Sequence, residues 1–151
     1  MAGGEILHGT LLANGDAGVL LRGPSGSGKS DLALRLLHLG PHWRLVSDDQ
    51  VTMSRRGQCV FGLAPASIAG KLEVRGIGIV DIPIQVEAEI RLVVDLVPRK
   101  DVPRMPDLTK TVELLGTSVP QARLHGFDAS SPLKVAMLLR MTLDRAALRK
   151  N

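Results

Sequence analysis

Gly23-Pro24-Ser25-Gly26-Ser27-Gly28-Lys29-Ser30 is the stretch on which the reading of this chain turns. It fits G-x-x-x-x-G-K-[ST], a loop whose backbone N–H groups wrap around the phosphates of a nucleoside triphosphate. Glycines suit such a loop because the backbone must approach an anion closely, at angles that a Cβ disfavours. Lys29 supplies a point charge for the β- and γ-phosphates, and Ser30 supplies a hydroxyl for Mg²⁺. The flanks agree with the motif. Gly18 to Gly23, GVLLRG, is a short apolar run that reads as a strand. Ser30 to Gly40, SDLALRLLHLG, reads as an amphipathic helix with Leu32, Ala33, Leu36 and Leu37 on one face, stopped by Gly40-Pro41. A helix starting there points the positive end of its dipole at the bound phosphates.

The composition sets the frame for that loop. A chain of 151 residues, 44% hydrophobic and 23% charged, is the size and make-up of one globular domain. Aromatic residues are only 2%, so the core has to be built from aliphatic side chains and Met. The single cysteine, Cys59, excludes an intrachain disulfide and a Cys-rich zinc site, which suits a reducing, cytoplasmic setting. No apolar run approaches the length of a membrane span, and the first residues, MAGGEILHG, lack the pattern of a signal peptide. The net charge of +4 fits a nucleotide site as well as it fits nucleic acid. Scattered basic residues and few aromatics argue against nucleic acid.

Upstream of the loop, Ile6 to Ala13 reads as a strand, turned at Asn14 to Ala17 back into the strand that feeds the loop. A four-residue turn pairs Ala13 with Gly18, and stepping outward brings His8 opposite Gly23, at the mouth of the loop. A lone strand histidine is as readily a packed or solvated residue. Downstream, Trp43 to Ser47 reads as a strand. A right-handed crossover through the helix makes it parallel to Gly18–Arg22, so both end on the ligand-binding edge of the sheet. Asp48-Asp49 stands at that end, where carboxylates can serve as metal ligand or general base. Leu92-Val93-Val94-Asp95 has the same form, and periodicity does not choose between Asp48 and Asp95.

The remainder is a series of β pieces and a final helix. Val51–Ser54 and Gln58–Phe61 read as a hairpin around Arg55-Arg56-Gly57, and Ser67–Lys71 as a helical turn. Leu72 to Ile82, LEVRGIGIVDI, reads either as a strand whose glycines admit another backbone or a ligand, or as an exposed strand with a bulge. Glu89–Val97 is an apolar strand. Pro98–Asp107 is a stiff basic loop, readable as a phosphate-facing lid or as a solvated loop. Thr111–Leu115 and Val119–Leu124 read as strands. Ser131-Pro132 opens the last helix, with Leu133, Ala136, Met137 and Met141 expected on its core face.

Four of these motifs in this order resemble the catalytic C-terminal domain of the bacterial HPr kinase/phosphorylase family. They are His8-Gly9, GPSGSGKS, LVSDD ending at Asp48-Asp49, and LEVRGIGIVDI, which ordinary phosphate-loop proteins do not carry. The resemblance runs from about Leu7 to Arg140. It implies a single domain over 1–151, a P-loop α/β fold with a mixed β-sheet similar to phosphoenolpyruvate carboxykinase, and assembly into homo-oligomers, commonly hexamers.

Carried onto these residues, the family implies that Lys29 and the amides of Gly23 to Ser30 hold ATP. Mg²⁺ is expected on Ser30 with Glu73. Asp48 is the expected acid/base toward the target serine, Asp49 a possible second carboxylate, His8 an assistant beside the phosphates, and Arg104 a catalytic arginine. The implied activity is phosphorylation of a regulatory serine on the phosphocarrier protein HPr, with phosphorolysis to pyrophosphate as a possible reverse reaction. Two departures from the family are expected to matter: a short form without the usual N-terminal domain, and Arg123-Leu124-His125-Gly126-Phe127-Asp128 where relatives often carry an Arg-Pro-Gly-Arg-like loop tied to dephosphorylation and partner contact. The kinase direction is therefore the leading expectation. A non-enzymatic ATP-binding sensor and a small-molecule kinase are the alternatives.

Overall fold

The structure, a computed structural model, describes residues 4–149. A nine-stranded mixed sheet carries the fold, with a two-stranded hairpin and two α-helices packed on it. Strand β1 (Glu5–His8) is followed by β2 (Thr10–Asn14), β3 (Ala17–Arg22) and α1 (Lys29–Leu37). Then come β4 (Trp43–Ser47), β5 (Gln50–Arg56) and β6 (Cys59–Leu63). The two-stranded hairpin is β7 (Lys71–Val74) and β8 (Gly78–Asp81), ahead of β9 (Glu87–Leu96). Strands β10 (Thr111–Leu114) and β11 (Thr117–Leu124) lead to α2 (Ser131–Arg149). The main path across the sheet is β1-β5-β6-β9-β3-β2-β4, with β11 alongside the end of β9 and β10 beyond it.

The strand patterns explain why both faces of this sheet are buried. Successive strand residues point to opposite faces. Leu12, Leu21 and Val94 enter the core beneath α1 and α2, while Leu11, Leu20 and Val93 enter a second core on the other face. Each such Leu contributes about 1.5–3 kcal/mol by leaving water, so aliphatic side chains make up most of both cores, with Trp43 the aromatic residue in the helix-side one. Leu72 of the β7–β8 hairpin joins the helix-side core, whereas Val51, Met53, Val60, Leu114 and Val119 close the other face.

Strand β4 is parallel to β3, as the crossover reading requires, but β2 lies between them and pairs antiparallel with both. The Ala13–Gly18 register holds. The expected strand from Ile6 to Ala13 does not continue past Gly9. There the chain leaves β3, the Gly9 N–H donates to the Asp49 carbonyl at 2.9 Å, and β1 pairs with β5. His8 therefore lies opposite Gln50 and not opposite Gly23.

Two further expectations change. LEVRGIGIVDI is a hairpin and not one strand: Gly76 within its turn and Gly78, which closes the turn as the first residue of β8, take φ of 92° and 112°. A Cβ on either would meet nothing within 4 Å, so these glycines serve turn geometry and not close approach. On α2 the face given by Leu133, Met137 and Met141 is the exposed one, and Val135, Leu138, Leu139 and Thr142 are buried instead. Both stripes have helical spacing, and only the position of the sheet decides between them.

Candidate active site

The loop from Gly23 to Ser30 joins the end of β3 to the start of α1. Gly26 and Gly28 sit at φ of 84° and 100°, in the left-handed region that glycine occupies freely. Lys29 is buried, and its ammonium donates to the carbonyls of Gly23 at 2.7 Å and Pro24 at 3.2 Å. The cation is thus held over the bend in its own loop. The Leu32 N–H to Gly28 carbonyl bond, 2.8 Å, starts the α1 ladder, and the amides before it are the orphan donors that suit an anion.

One flank of the loop carries the carboxylate. Asp48 follows β4 and is 7% exposed, which would be costly for an unpartnered carboxylate. Three groups donate to it. Oδ1 accepts the Ser30 hydroxyl at 2.8 Å and the Thr10 hydroxyl at 3.0 Å, and Oδ2 accepts the backbone N–H of Glu73 at 3.2 Å. A carboxylate offers about four lone-pair directions. Oδ1 is filled by two donors, and Oδ2 keeps one direction open.

Asp49 has φ of 67°, a conformation Asp tolerates better than most residues. Its N–H donates to the Thr10 hydroxyl at 3.3 Å, and its carboxylate lies 3.2 Å from His8 Nε2. Both side chains of that pair are more than half exposed.

The other candidates fall elsewhere. Asp95 is taken by Arg22 in a two-pronged pair of 2.8 and 3.1 Å, and it also accepts from the Gln121 amide. Glu73 meets Asp48 through its backbone, while its side chain is exposed. Arg104 lies in the exposed loop after β9. It lines a cavity of about 350 Å³ with Met105, Lys134, Met137 and Met141, a cavity to which the phosphate loop and Asp48 do not contribute. Among the described residues no cluster of three His, Cys, Asp or Glu side chains is arranged to hold a metal ion. The Ser30 hydroxyl beside Asp48 nevertheless fits Mg²⁺, which commonly takes one or two protein oxygens and completes its shell with phosphate and water.

The opposite flank is built from the segment that the sequence marks as a departure from the family, and sequence reasoning missed its contacts with the phosphate loop and with Arg35. After β11, the strap 125–128 crosses the phosphate loop. A Cβ on Gly126 would collide with the Ser27 carbonyl, and a Cβ on Gly28 would stand 3.1 Å from the Phe127 ring. Arg35 of α1 donates to the carbonyls of Gly126 and, at 2.9 Å, Asp128. Arg99 donates to the Asp128 carboxylate at 2.7 Å, and that hydrogen bond holds its pKa below the usual aspartate value. Thr10 also escaped the sequence reading. It follows His8-Gly9, but only the break at Gly9 turns its hydroxyl toward Asp48.

Taken together, a mixed α/β sheet with this loop at a strand end, and an acid from a neighbouring strand beside it, define a phosphate-loop domain of the nucleotide-binding class. A family model, the HPr serine kinase C-terminal domain, matches residues 1–142, and the chain belongs to that family. Among relatives, the HPr kinase/phosphorylase of Lactobacillus acidophilus is 33% identical over 94% of this chain and 45% of its own. That of Burkholderia cenocepacia is 38% identical over 79% of this chain and 39% of its own. The chain thus spans about half the length, or less, of the curated relatives it matches. The solved HPr(Ser) kinase/phosphatase of Coxiella burnetii superposes with a TM-score of 0.85 at 26% identity, covering 97% of this chain and 94% of that one.

Proposed function

We propose that this domain is an ATP- and Mg²⁺-dependent protein serine kinase acting on HPr. The observation that carries the proposal is the Ser30–Asp48 contact, which sets a buried carboxylate beside the loop suited to hold the triphosphate. Family membership and the names of the relatives support the choice of reaction and acceptor.

In this reading the backbone N–H groups of residues 25, 26 and 28–30, together with the Lys29 ammonium, hold the phosphates, while the Ser27 N–H closes the loop on the Pro24 carbonyl. The open lone pair of Asp48 Oδ2 accepts the hydroxyl proton of the incoming serine as its oxygen attacks the γ-phosphorus. Thr10 and the Glu73 N–H keep that carboxylate from turning. Phosphoryl transfer depends on such positioning and charge neutralisation more than on covalent chemistry by the protein. Mg²⁺ on Ser30, when bound, neutralises charge that develops on the β- and γ-oxygens. His8 and Asp49, an exposed pair next in the chain to Gly9 and Asp48, are assigned to acceptor approach. In reverse, phosphate attacks the phosphoserine phosphorus, the serine O–P bond breaks, and Asp48 returns the proton to serine, leaving pyrophosphate. The altered strap makes the forward direction the primary assignment.

The wider reading is of one domain over 1–151, cytoplasmic, acting as a homo-oligomer of hexameric form, with nucleotide and HPr as partners. Its support is the continuous sheet, the family, and the lack of any helix among the described residues that is long and apolar enough to cross a membrane.

Incubation with γ-labelled ATP, Mg²⁺ and purified HPr tests the function. The kinase reading predicts label on an HPr serine. ATP binding with no label on any protein would identify a nucleotide sensor instead, and label on a small molecule alone would identify a metabolite kinase.

A further inference from the structure

The phosphate loop has two unlike flanks, one carrying Asp48 and the other the 125–128 strap. Across the sheet the order β11-β9-β3-β2-β4 places the strap that follows β11 on one side of the β3 loop and Asp48, which follows β4, on the other. The acceptor must meet the terminal phosphate where the carboxylate is. The other end of the triphosphate then leaves toward the strap.

What the strap presents there is an aromatic face. The chain has two Phe, one Trp and no Tyr. Trp43 is buried in the core and Phe61 lies under the Arg56 guanidinium, 4.3 Å from its ring centroid. Phe127 is 52% exposed, with one side of its ring set against Gly28. A large apolar side chain left half in water at a loop tip gains little from burial.

Its backbone is nevertheless fixed on both sides. Arg35 holds the Gly126 and Asp128 carbonyls, Arg99 holds the Asp128 side chain, and the Ser131 hydroxyl donates to the His125 carbonyl at 2.5 Å. The His125 ring meets Phe127 edge-on with centroids 6.0 Å apart. A clamped, half-exposed aromatic beside an anion loop has the properties of a stacking platform.

We infer that Phe127 is the platform on which the nucleobase of the bound triphosphate stacks, which makes it a specificity residue for nucleotide over bare polyphosphate. This rests on the phosphate-loop reading above. It adds an element that the loop itself cannot supply, because the loop recognises only phosphates. Stacking on an aromatic side chain typically changes affinity by about 5- to 150-fold.

The test compares binding of ATP and of inorganic tripolyphosphate, both with Mg²⁺, by calorimetry. Wild type binds both, ATP the more tightly. Phe127→Leu keeps an apolar contact with Gly28 but has no π-face; its ATP affinity falls about tenfold or more, while its tripolyphosphate affinity stays within about threefold. Phe127→Trp restores ATP affinity, and its indole emission changes with ATP but not with tripolyphosphate. Equal losses for both ligands in Phe127→Leu would show that the ring only shapes the phosphate loop, and unchanged ATP affinity would show that it does nothing for the base; either result overturns the inference. Wild type that binds tripolyphosphate as tightly as ATP overturns it too, while leaving the phosphate loop intact. Wild type that binds neither overturns the loop reading itself.

Discussion

The Ser30 hydroxyl donates to Asp48 Oδ1 across 2.8 Å, so the last residue of the phosphate loop and the residue after β4 share one hydrogen bond. These residues are brought together because β3 and β4 run parallel and end on the same edge, with β2 as the spacer between them. The bond couples the group that would bind Mg²⁺ to the group that would take a proton. Its consequences can be measured.

Lys29→Ala removes the only charge buried within the loop and its bonds to the Gly23 and Pro24 carbonyls, of which Pro24 still accepts the Ser27 N–H. Nucleotide affinity is expected to fall at least about a hundredfold, the scale of losing a buried charge-assisted contact. Titration with ATP and Mg²⁺ measures it, and wild-type affinity in the variant would contradict the role given to the loop.

Thr10→Val keeps the shape of a fully buried side chain and deletes one of the three donors to Asp48. Stability is expected to fall by about 1–3 kcal/mol. Turnover should fall by roughly ten- to a hundredfold from a loosened carboxylate, with the KM for ATP little changed. Steady-state kinetics on folded variant separates these effects: a change confined to KM would place Thr10 in nucleotide binding.

The two faces of α2 should respond oppositely to truncation. Leu139 is 3% exposed and Met137 is 62% exposed. Leu139→Ala is expected to cost about 2–5 kcal/mol, and Met137→Ala no more than about 0.5 kcal/mol. Urea unfolding of the two variants checks the assignment, and the reverse order would restore the face expected from the sequence.

Acid should loosen the strap through Asp128. Its pKa is lowered in the fold by the Arg99 hydrogen bond, so the unfolded chain takes up that proton at higher pH than the folded one. The stabilisation from this pair is complete above the ordinary aspartate pKa and disappears as pH falls through the lowered folded value. Asp128→Asn should therefore be less stable than wild type near pH 7, and the difference should vanish at acid pH. Denaturation midpoints of both proteins across that range would show it; a difference independent of pH would assign the effect to something other than this ion pair.

The fold was legible where local chemistry dictates it. The glycine-rich bend, the apolar strand before it and the helix after it are all set by nearby residues, and the structure reproduces them. The strand Trp43–Ser47 and the acid at its end follow from crossover handedness. What could not be read depends on distant packing. A strand break at Gly9 moves His8 from β3 to β5, and nothing in Ile6–Ala13 forbids one continuous strand. The stripes of α2 are equally apolar, and only the sheet beneath selects Leu139 over Met137. Thr10, Arg35 and Phe127 belong to the site through contacts with residues far away in sequence, 93 positions for Arg35 with Asp128 and further for Phe127 with Gly28, which periodicity does not register.

The most direct test of the whole account is the rate of phosphoryl transfer to HPr by Asp48→Asn, read together with its ATP affinity. The substitution keeps the size of the side chain and an acceptor oxygen for Ser30 and Thr10, but removes the proton acceptor. With Asp48 as proton acceptor, the transfer rate is expected to fall by about 10²-fold or more with ATP bound nearly as in wild type. Transfer at the wild-type rate would contradict that role.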